Sequence, residues 1–357
     1  MTKKRILLIY PPSPVMNRED RCQQPTKDLI VIPPLPPTDL MYLASVAEQI
    51  GLEAKIEDYS QGGDLEYDLR EFRPDYLVVN IATPTLEHDL DAVKRAKEIN
   101  PEIVTIAKGA GFLALGEKIL AEHDFLDFGI LGEAEDTLKE ILLGKEKSEI
   151  LGIYYCENGE VKFTGKRPFI DDLDSLPFPA RHLVDNNIYR RPDNNKVQAT
   201  IKVERGCPFH CFFCLATPVS GAKVRRRSAE NIVAEIKECV EKYNIRNFLF
   251  WSDIFNLDKE WTMNLCQAII DSGLKITWSA NTRADTADLE MAKMMYKSGC
   301  RLVSIGVESG SQEMLEKMGK KITLEDVRRT VRIFKQAKIR IYNYFVIGLP
   351  WETEETI

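Results

Sequence analysis

Short apolar runs alternate with amphipathic stretches twice along this chain, and that rhythm restricts the fold more than any other feature. Arg5–Tyr10 reads RILLIY, a continuous apolar run of the kind that forms a strand buried on both faces. Residues 53–59, 75–81, 102–107 and 128–131 follow as further strands. Helices are predicted at 40–50, 86–100, 115–123 and 135–143, with Thr38 or Asp39 capping the first and Gly51 ending it. Strands alternating with helices imply a doubly wound, Rossmann-like parallel sheet, with ligands expected at the carboxyl ends of the strands. Residues 151–166 read as a hairpin turned at Asn158-Gly159. Residues 171–179 (DDLDSLPFP) read as a linker, because prolines and acidic residues oppose regular structure there.

The alternation then resumes with a longer period. Strands are expected at 200–203, Asn247–Trp251, 275–279, 302–307 and 340–347, and helices at 228–243, 259–272, 286–298, 311–318 and 323–337. Repeated β-α units of this length predict a (β/α) barrel or part of one. The expected α/β organisation is a Rossmann-like domain over 1–146, a hairpin and linker over 147–196, and a barrel over 197–357. The sequence stops soon after the fifth strand of that barrel, where a helix should begin, so further C-terminal sequence is expected to complete it.

A chain of 357 residues exceeds what one core usually organises. Its net charge of −7 argues against broad nucleic-acid binding. No apolar run approaches the ~18 residues of a membrane span, and Met1 to Arg5 lead straight into a short strand rather than a secretory signal. A cytoplasmic protein is expected, with a small-molecule or lipid-like substrate compatible. Eight cysteines in a chain this long are no disulfide framework. Cys22, Cys156, Cys239, Cys266 and Cys300 are scattered singly, and Cys239 and Cys266 sit on apolar helical faces as small buried hydrophobes do.

Cys207, Cys211 and Cys214 are different. They share the loop between a strand and a helix, spaced C-x3-C-x2-C. Such a loop can hold zinc or an iron–sulfur centre. Structural zinc needs four ligands, and no second cysteine pair is present; His210 adjoins Cys211 and is badly placed as the fourth. Three thiolates on a four-iron cluster would leave one iron open, and an open metal position implies chemistry there. The run Arg225-Arg226-Arg227 beyond the loop reads equally as a solvated turn or as a contact for an anionic group. Trp278, Tyr342 and Tyr344 lie on strands, as core or barrel-lining residues.

The segment Arg205-Gly206-Cys207-Pro208-Phe209-His210-Cys211-Phe212-Phe213-Cys214 resembles the signature of the radical S-adenosylmethionine (SAM) superfamily. The resemblance covers about residues 197–353. It implies a [4Fe-4S] cluster on Cys207, Cys211 and Cys214, with SAM chelating the fourth iron and cleaved to a 5′-deoxyadenosyl radical. It implies that the backbone at Phe213 approaches adenine and that Asp253 accepts from the SAM amino group; the preceding position, acidic in relatives, is Ser252 here. Arg283, in Asn281-Thr282-Arg283-Ala284-Asp285, is implied for the SAM carboxylate, Glu308 for the ribose side, and Gly348 for the adenine-side loop.

The N-terminal half resembles the cobalamin-binding domain fused to one class of this superfamily. Tyr10-Pro11-Pro12, Thr83-Pro84-Thr85, Gly109-Ala110-Gly111 and Leu131-Gly132-Glu133 carry the likeness. It implies cobalamin contacts at Pro12, Thr83, Thr85, Gly109, Gly111, Gly132 and Glu133. No D-x-H-x-x-G signature supplies an axial histidine, and the fused class commonly binds cobalamin without one. His88 and His123 read as ordinary surface or capping residues.

The implied function is methylation of an unactivated carbon, with an electron donor such as flavodoxin or ferredoxin. An oxidative cyclisation or rearrangement on the same cofactors is the alternative. A non-catalytic iron–sulfur protein or an inactive fragment is the reading from another class.

Overall fold

The computed structural model describes residues 3–13, 16–18, 23–25, 34–191 and 193–357, so Cys22 lies outside the described residues. They divide into two compact units, Met1–Ile170 with Ser175–Asn195, and Asp171–Asp174 with Lys196–Ile357.

In the first unit the apolar run Arg5–Tyr10 lies inside a seven-stranded sheet. The order is Glu53–Asp58, Arg5–Tyr10, Tyr76–Asn80, Val104–Lys108, Phe128–Ile130, Ile153–Glu157, Glu160–Phe163. The first five strands are parallel and the last two antiparallel. Successive side chains of a strand point to opposite faces, so a run that is apolar throughout needs cover on both. Ile6, Leu8 and Tyr10 enter one core with helices Thr38–Gln49 and Glu135–Leu142. Leu7 and Ile9 enter the other with helices Leu65–Phe72, Leu86–Ile99 and Phe112–Glu122. The hairpin turns at Asn158-Gly159, both with positive φ, and its strands extend this sheet. It therefore belongs to the first unit rather than standing between two domains. Helix Leu65–Phe72, capped by Asp64, was not foreseen from the sequence.

The second unit is a five-stranded parallel sheet in sequential order: Ala199–Lys202, Asn247–Trp251, Thr277–Thr282, Cys300–Glu308, Arg340–Phe345. One face is packed by helices Ala229–Tyr243, Lys259–Asp271, Leu289–Lys297 and Leu324–Gln336. Trp278 is fully buried there, stacked on Phe250 with centroids 4.7 Å apart, and its indole N–H donates to the Ser298 carbonyl at 3.2 Å. Burying an aromatic of this size stabilises a fold by roughly 1.5–3 kcal/mol. Tyr342 and Tyr344 are instead 57% and 47% exposed, so they are not core. Asp174 joins this unit because its carboxylate accepts the Ser228 N–H at 3.0 Å, just ahead of helix Ala229–Tyr243. Among the described residues no helix is long and apolar enough to cross a membrane.

Candidate active site

The cysteine loop leaves the strand Ala199–Lys202 at its carboxyl end, through the short strand Glu204–Arg205. Gly206 makes the turn with φ +104°, and a Cβ there would lie 2.2 Å from the Lys223 carbonyl oxygen. No other residue type meets both conditions. The Cys207 N–H donates to Gly221 O at 3.0 Å, and the Cys214 N–H to Cys211 O at 3.1 Å. The Thr217 hydroxyl reaches Cys207 O at 3.0 Å and Phe209 O at 2.7 Å, tying the loop to the short helix Ala216–Ser220.

None of the three thiols is in a disulfide: Cys207 is buried, Cys211 half-buried and Cys214 exposed. Burial pushes the Cys207 thiol above its ordinary range, and the charges of Asp253, Cys214 and Cys211 push it the same way. These groups are thus electrostatic neighbours. Among the described residues no three His, Cys, Asp or Glu groups converge to hold one ion. In a four-iron cluster each thiolate holds a different iron, and such convergence is not required.

The loop after Asn247–Trp251 faces Cys207. Ser252 Oγ and Asn256 Nδ2 are buried there without a hydrogen-bond partner, in residues only 2% exposed. A buried polar group left unpaired is costly, so a partner is wanted at both. Glu204, a residue to which the sequence alone assigns no role, ties this loop to the cysteine loop. Its carboxylate accepts from the Ile254 backbone N–H and from Arg226 Nε at 3.1 Å. Burial pushes its carboxyl up to about 8, against the pull of Arg226, and the Asp253 charge adds to the rise. Arg226 also lies over the Trp261 ring, 5.6 Å from its centroid. Arg227 pairs with Glu235 inside the unit, and Arg225 donates to the Ser220 carbonyl at 2.8 Å. The arginine run is neither a solvated turn nor an open anion contact; the fold uses all three side chains.

Glu308 closes the strand Cys300–Glu308 with φ +68°, at a register shift against Arg340–Phe345. Its Oε1 accepts from Lys320 Nζ at 2.7 Å, a buried pair, and Lys320 stands over the Phe213 ring at 5.9 Å. Lys320 escaped the sequence reading because only the fold brings it to Glu308. The Gly348 N–H donates to Glu352 Oε2 at 2.5 Å, with φ +94°. Arg283 is 3% exposed; its Nε donates to Asp285 at 2.8 Å and its guanidinium stacks on Phe209, 3.8 Å from the ring centroid.

In the first unit the carboxyl ends of the strands carry a buried polar floor. Tyr10 donates its hydroxyl hydrogen to Asp39 Oδ1 at 2.5 Å, and Lys108 forms an ion pair with Asp39 Oδ2. Asp39 therefore does not cap its helix; Pro37 holds that position, without a side-chain cap. Ser13 Oγ is buried without a partner in the loop after the first strand, beside half-buried Pro12. Gly109 has φ +133°, and a Cβ there would meet Ile81 O at 2.1 Å. Gly111 has an ordinary helical backbone and an ordinary 3.6 Å distance to Ile81, so packing alone does not demand glycine. Thr83 is exposed, whereas Thr85 turns inward and donates to Asp89 at 2.8 Å. Gly132 has open space around its Cα, and Glu133 accepts the Ile170 N–H at 2.8 Å. His88 is exposed and His123 packs on Phe125.

Residues 201–357 match the radical SAM superfamily model and residues 33–142 the B12 binding domain model. An uncharacterized methyltransferase of Pyrococcus horikoshii is 30% identical over 351 residues, covering 93% of this chain and 76% of that protein. The chain belongs to the radical SAM superfamily, in the class with a B12-binding domain. An anaerobic magnesium-protoporphyrin IX monomethyl ester cyclase of Cereibacter sphaeroides is 26% identical, covering 90% of this chain and 55% of its own length. The solved radical SAM methyltransferase TsrM of Kitasatospora setae, at 20% identity, shares the fold with a TM-score of 0.78 over 99% of this chain and 69% of its own.

As a radical SAM protein the chain has its cysteine loop at a strand's carboxyl end, where ligands of parallel sheets bind. The donor set fits a cluster: three thiols outside any disulfide on one loop, next to a strand-end loop with two unpaired buried polar atoms. The B12-binding unit also fits its cofactor's side of the sheet, with a polar floor and the unpaired Ser13 hydroxyl at the strand ends.

Proposed function

We propose that this chain is a cobalamin-dependent radical SAM methyltransferase that methylates an unactivated carbon of a small-molecule or lipid-like substrate in the cytoplasm. The observation that carries the reading is the set of thiols Cys207, Cys211 and Cys214, none in a disulfide, on one loop beside Ser252 Oγ and Asn256 Nδ2, both buried without a partner. The three cysteines would hold a [4Fe-4S] cluster. Asp253 and Ser252 would take the amino end of SAM, Glu308 its ribose side, and Phe213 and Gly348 the adenine. Pro12, Thr83, Gly111 and Gly132, at strand ends of the first unit, would line cobalamin, while Gly109, Thr85 and Glu133 shape the loops behind them. When bound, these groups supply one-electron cleavage of SAM and methyl transfer to carbon.

The chain's own residues position and exclude. Thr217 fixes the loop carbonyls, and Glu204 holds the Ser252–Asn256 loop at a set distance from Cys207. The buried Lys320–Glu308 pair keeps one carboxylate oxygen committed and leaves the other for a hydroxyl donor. The cofactors and substrate must be held in line, and water kept from the reaction.

The test is anaerobic reconstitution with iron, sulfide, hydroxocobalamin and SAM, with reduced flavodoxin or ferredoxin as electron donor. Products are read by mass spectrometry. Formation of 5′-deoxyadenosine together with cobalamin-dependent S-adenosylhomocysteine is expected. Deoxyadenosine alone would replace the methyltransferase with a cyclase-like reaction, which the 26% identical cyclase favours. Neither product would overturn the proposal.

A further inference from the structure

The sequence suggests Arg283 for the SAM carboxylate, yet the fold occupies its guanidinium elsewhere. Its Nε donates to Asp285 Oδ1 at 2.8 Å. Its Nη2 donates to the carbonyls of Lys320 and Lys321, the latter at 3.2 Å. Its flat face covers Phe209 at 3.8 Å, and the whole side chain is 3% exposed. Phe209 in turn packs against Cys207, Ala216 and Ile254. The same turn touches the cysteine loop directly: the Phe212 N–H donates to Met318 O at 3.0 Å, and a Cβ at Gly319 would stand 3.3 Å from His210 O. Only a planar, permanently charged group with several donors can grip carbonyls with its edge while its face covers a ring.

We propose that Arg283 is a positioning residue that seats the cluster loop, clamping Phe209 against the turn 318–321 and so holding Cys207, rather than a contact to the SAM carboxylate. The inference rests on the radical SAM reading of the site. It says that the third strand's loop acts on the cluster's thiols through Phe209. The chemical class it addresses is unchanged: three thiolates and a four-iron cluster.

The test uses the full chain in two forms. In the metal-free, reduced protein, alkylation of each cysteine is followed by mass spectrometry. In Arg283→Met and Phe209→Leu, Cys207 should be alkylated about tenfold faster than in the parent, because a local opening becomes easier. Cys239 and Cys266, buried in the helical core, should stay protected and so report an intact fold. Arg283→Lys keeps the charge but not the fork and should recover only part of the protection. The double variant should be no worse than the worse single one, since both changes cut the same link. In the reconstituted protein, Arg283→Met should retain less iron per chain, while the fraction that is loaded binds SAM with unchanged affinity. Full loading with unchanged Cys207 alkylation and weakened SAM binding would overturn the proposal and return Arg283 to the carboxylate. Additive effects of the two substitutions would overturn it as well. A parent protein that takes up no cluster would instead defeat the functional reading, and the alkylation comparison would still decide whether the clamp exists.

Discussion

Tyr76–Asn80 and Asn247–Trp251 are both five-residue strands inside parallel sheets, yet they are buried differently. YLVVN is buried at every position; NFLFW is buried only at Phe248 and Phe250. The first sheet has helices on both faces, so its side chains are consumed by two cores and function is pushed to the strand ends. Among the described residues the second has its helical core on one face, with half-buried Leu249, Trp251 and Asn281 and exposed Tyr342 and Tyr344 outside it. Sheets of one rhythm thus serve differently: one offers a rim, the other a rim and an inner wall.

The sharpest break in that comparison comes from Cys207→Ala. Iron retention and SAM cleavage should fall to background, while hydroxocobalamin retention by the first unit, read from the visible spectrum after gel filtration, stays at the parent level. Loss of both would mean that the units do not hold their cofactors separately.

Lys108→Met strikes the rim of the first sheet. It leaves the Asp39 carboxylate buried without its cation, at a cost of about 3–5 kcal/mol in urea unfolding. Replacing both partners, Asp39→Leu with Lys108→Met, should recover most of that loss. A single variant as stable as the parent would show that the floor is not a buried ion pair.

A pH-dependent effect belongs to Glu204 on the second rim. Its folded carboxyl titrates near 8, above the range of an unfolded glutamate. Between roughly pH 4.5 and 8 the native chain therefore holds a proton that the unfolded chain has lost. The stability it contributes is fullest below that window and declines as pH rises through it, by at most ~1.4 kcal/mol per pH unit. Glu204→Gln in the cluster-free protein should flatten that part of the stability–pH curve; identical curves for the two proteins would refute the assignment.

Much of this was legible in the sequence, for identifiable reasons. Arg5–Tyr10 could be read because six consecutive residues carry the signal locally, and the hairpin because Asn158-Gly159 is a turn on its own. The cysteine loop is equally local. What escaped depends on meetings across the chain. Asp39 looks like a helix cap until Lys108 and Tyr10 arrive beside it. Arg225, Arg226 and Arg227 look like a surface run until Glu204, Ser220 and Glu235 are placed against them. Arg283 is legible as a cation, but its stacking on Phe209 is a property of two loops that only the sheet brings together.

The grip of the turn 318–321 on the cysteine loop also has a temporal side. Met318, Lys320 and Lys321 are made long after Cys207, Cys211 and Cys214 have left the ribosome. Until they emerge, Phe212 lacks its acceptor, and Arg283 lacks the carbonyls it holds. The thiols are therefore the first part of the site to be synthesised and among the last to be shaped, so a correctly seated cluster belongs to a chain already translated through its fourth barrel strand and the turn beyond it.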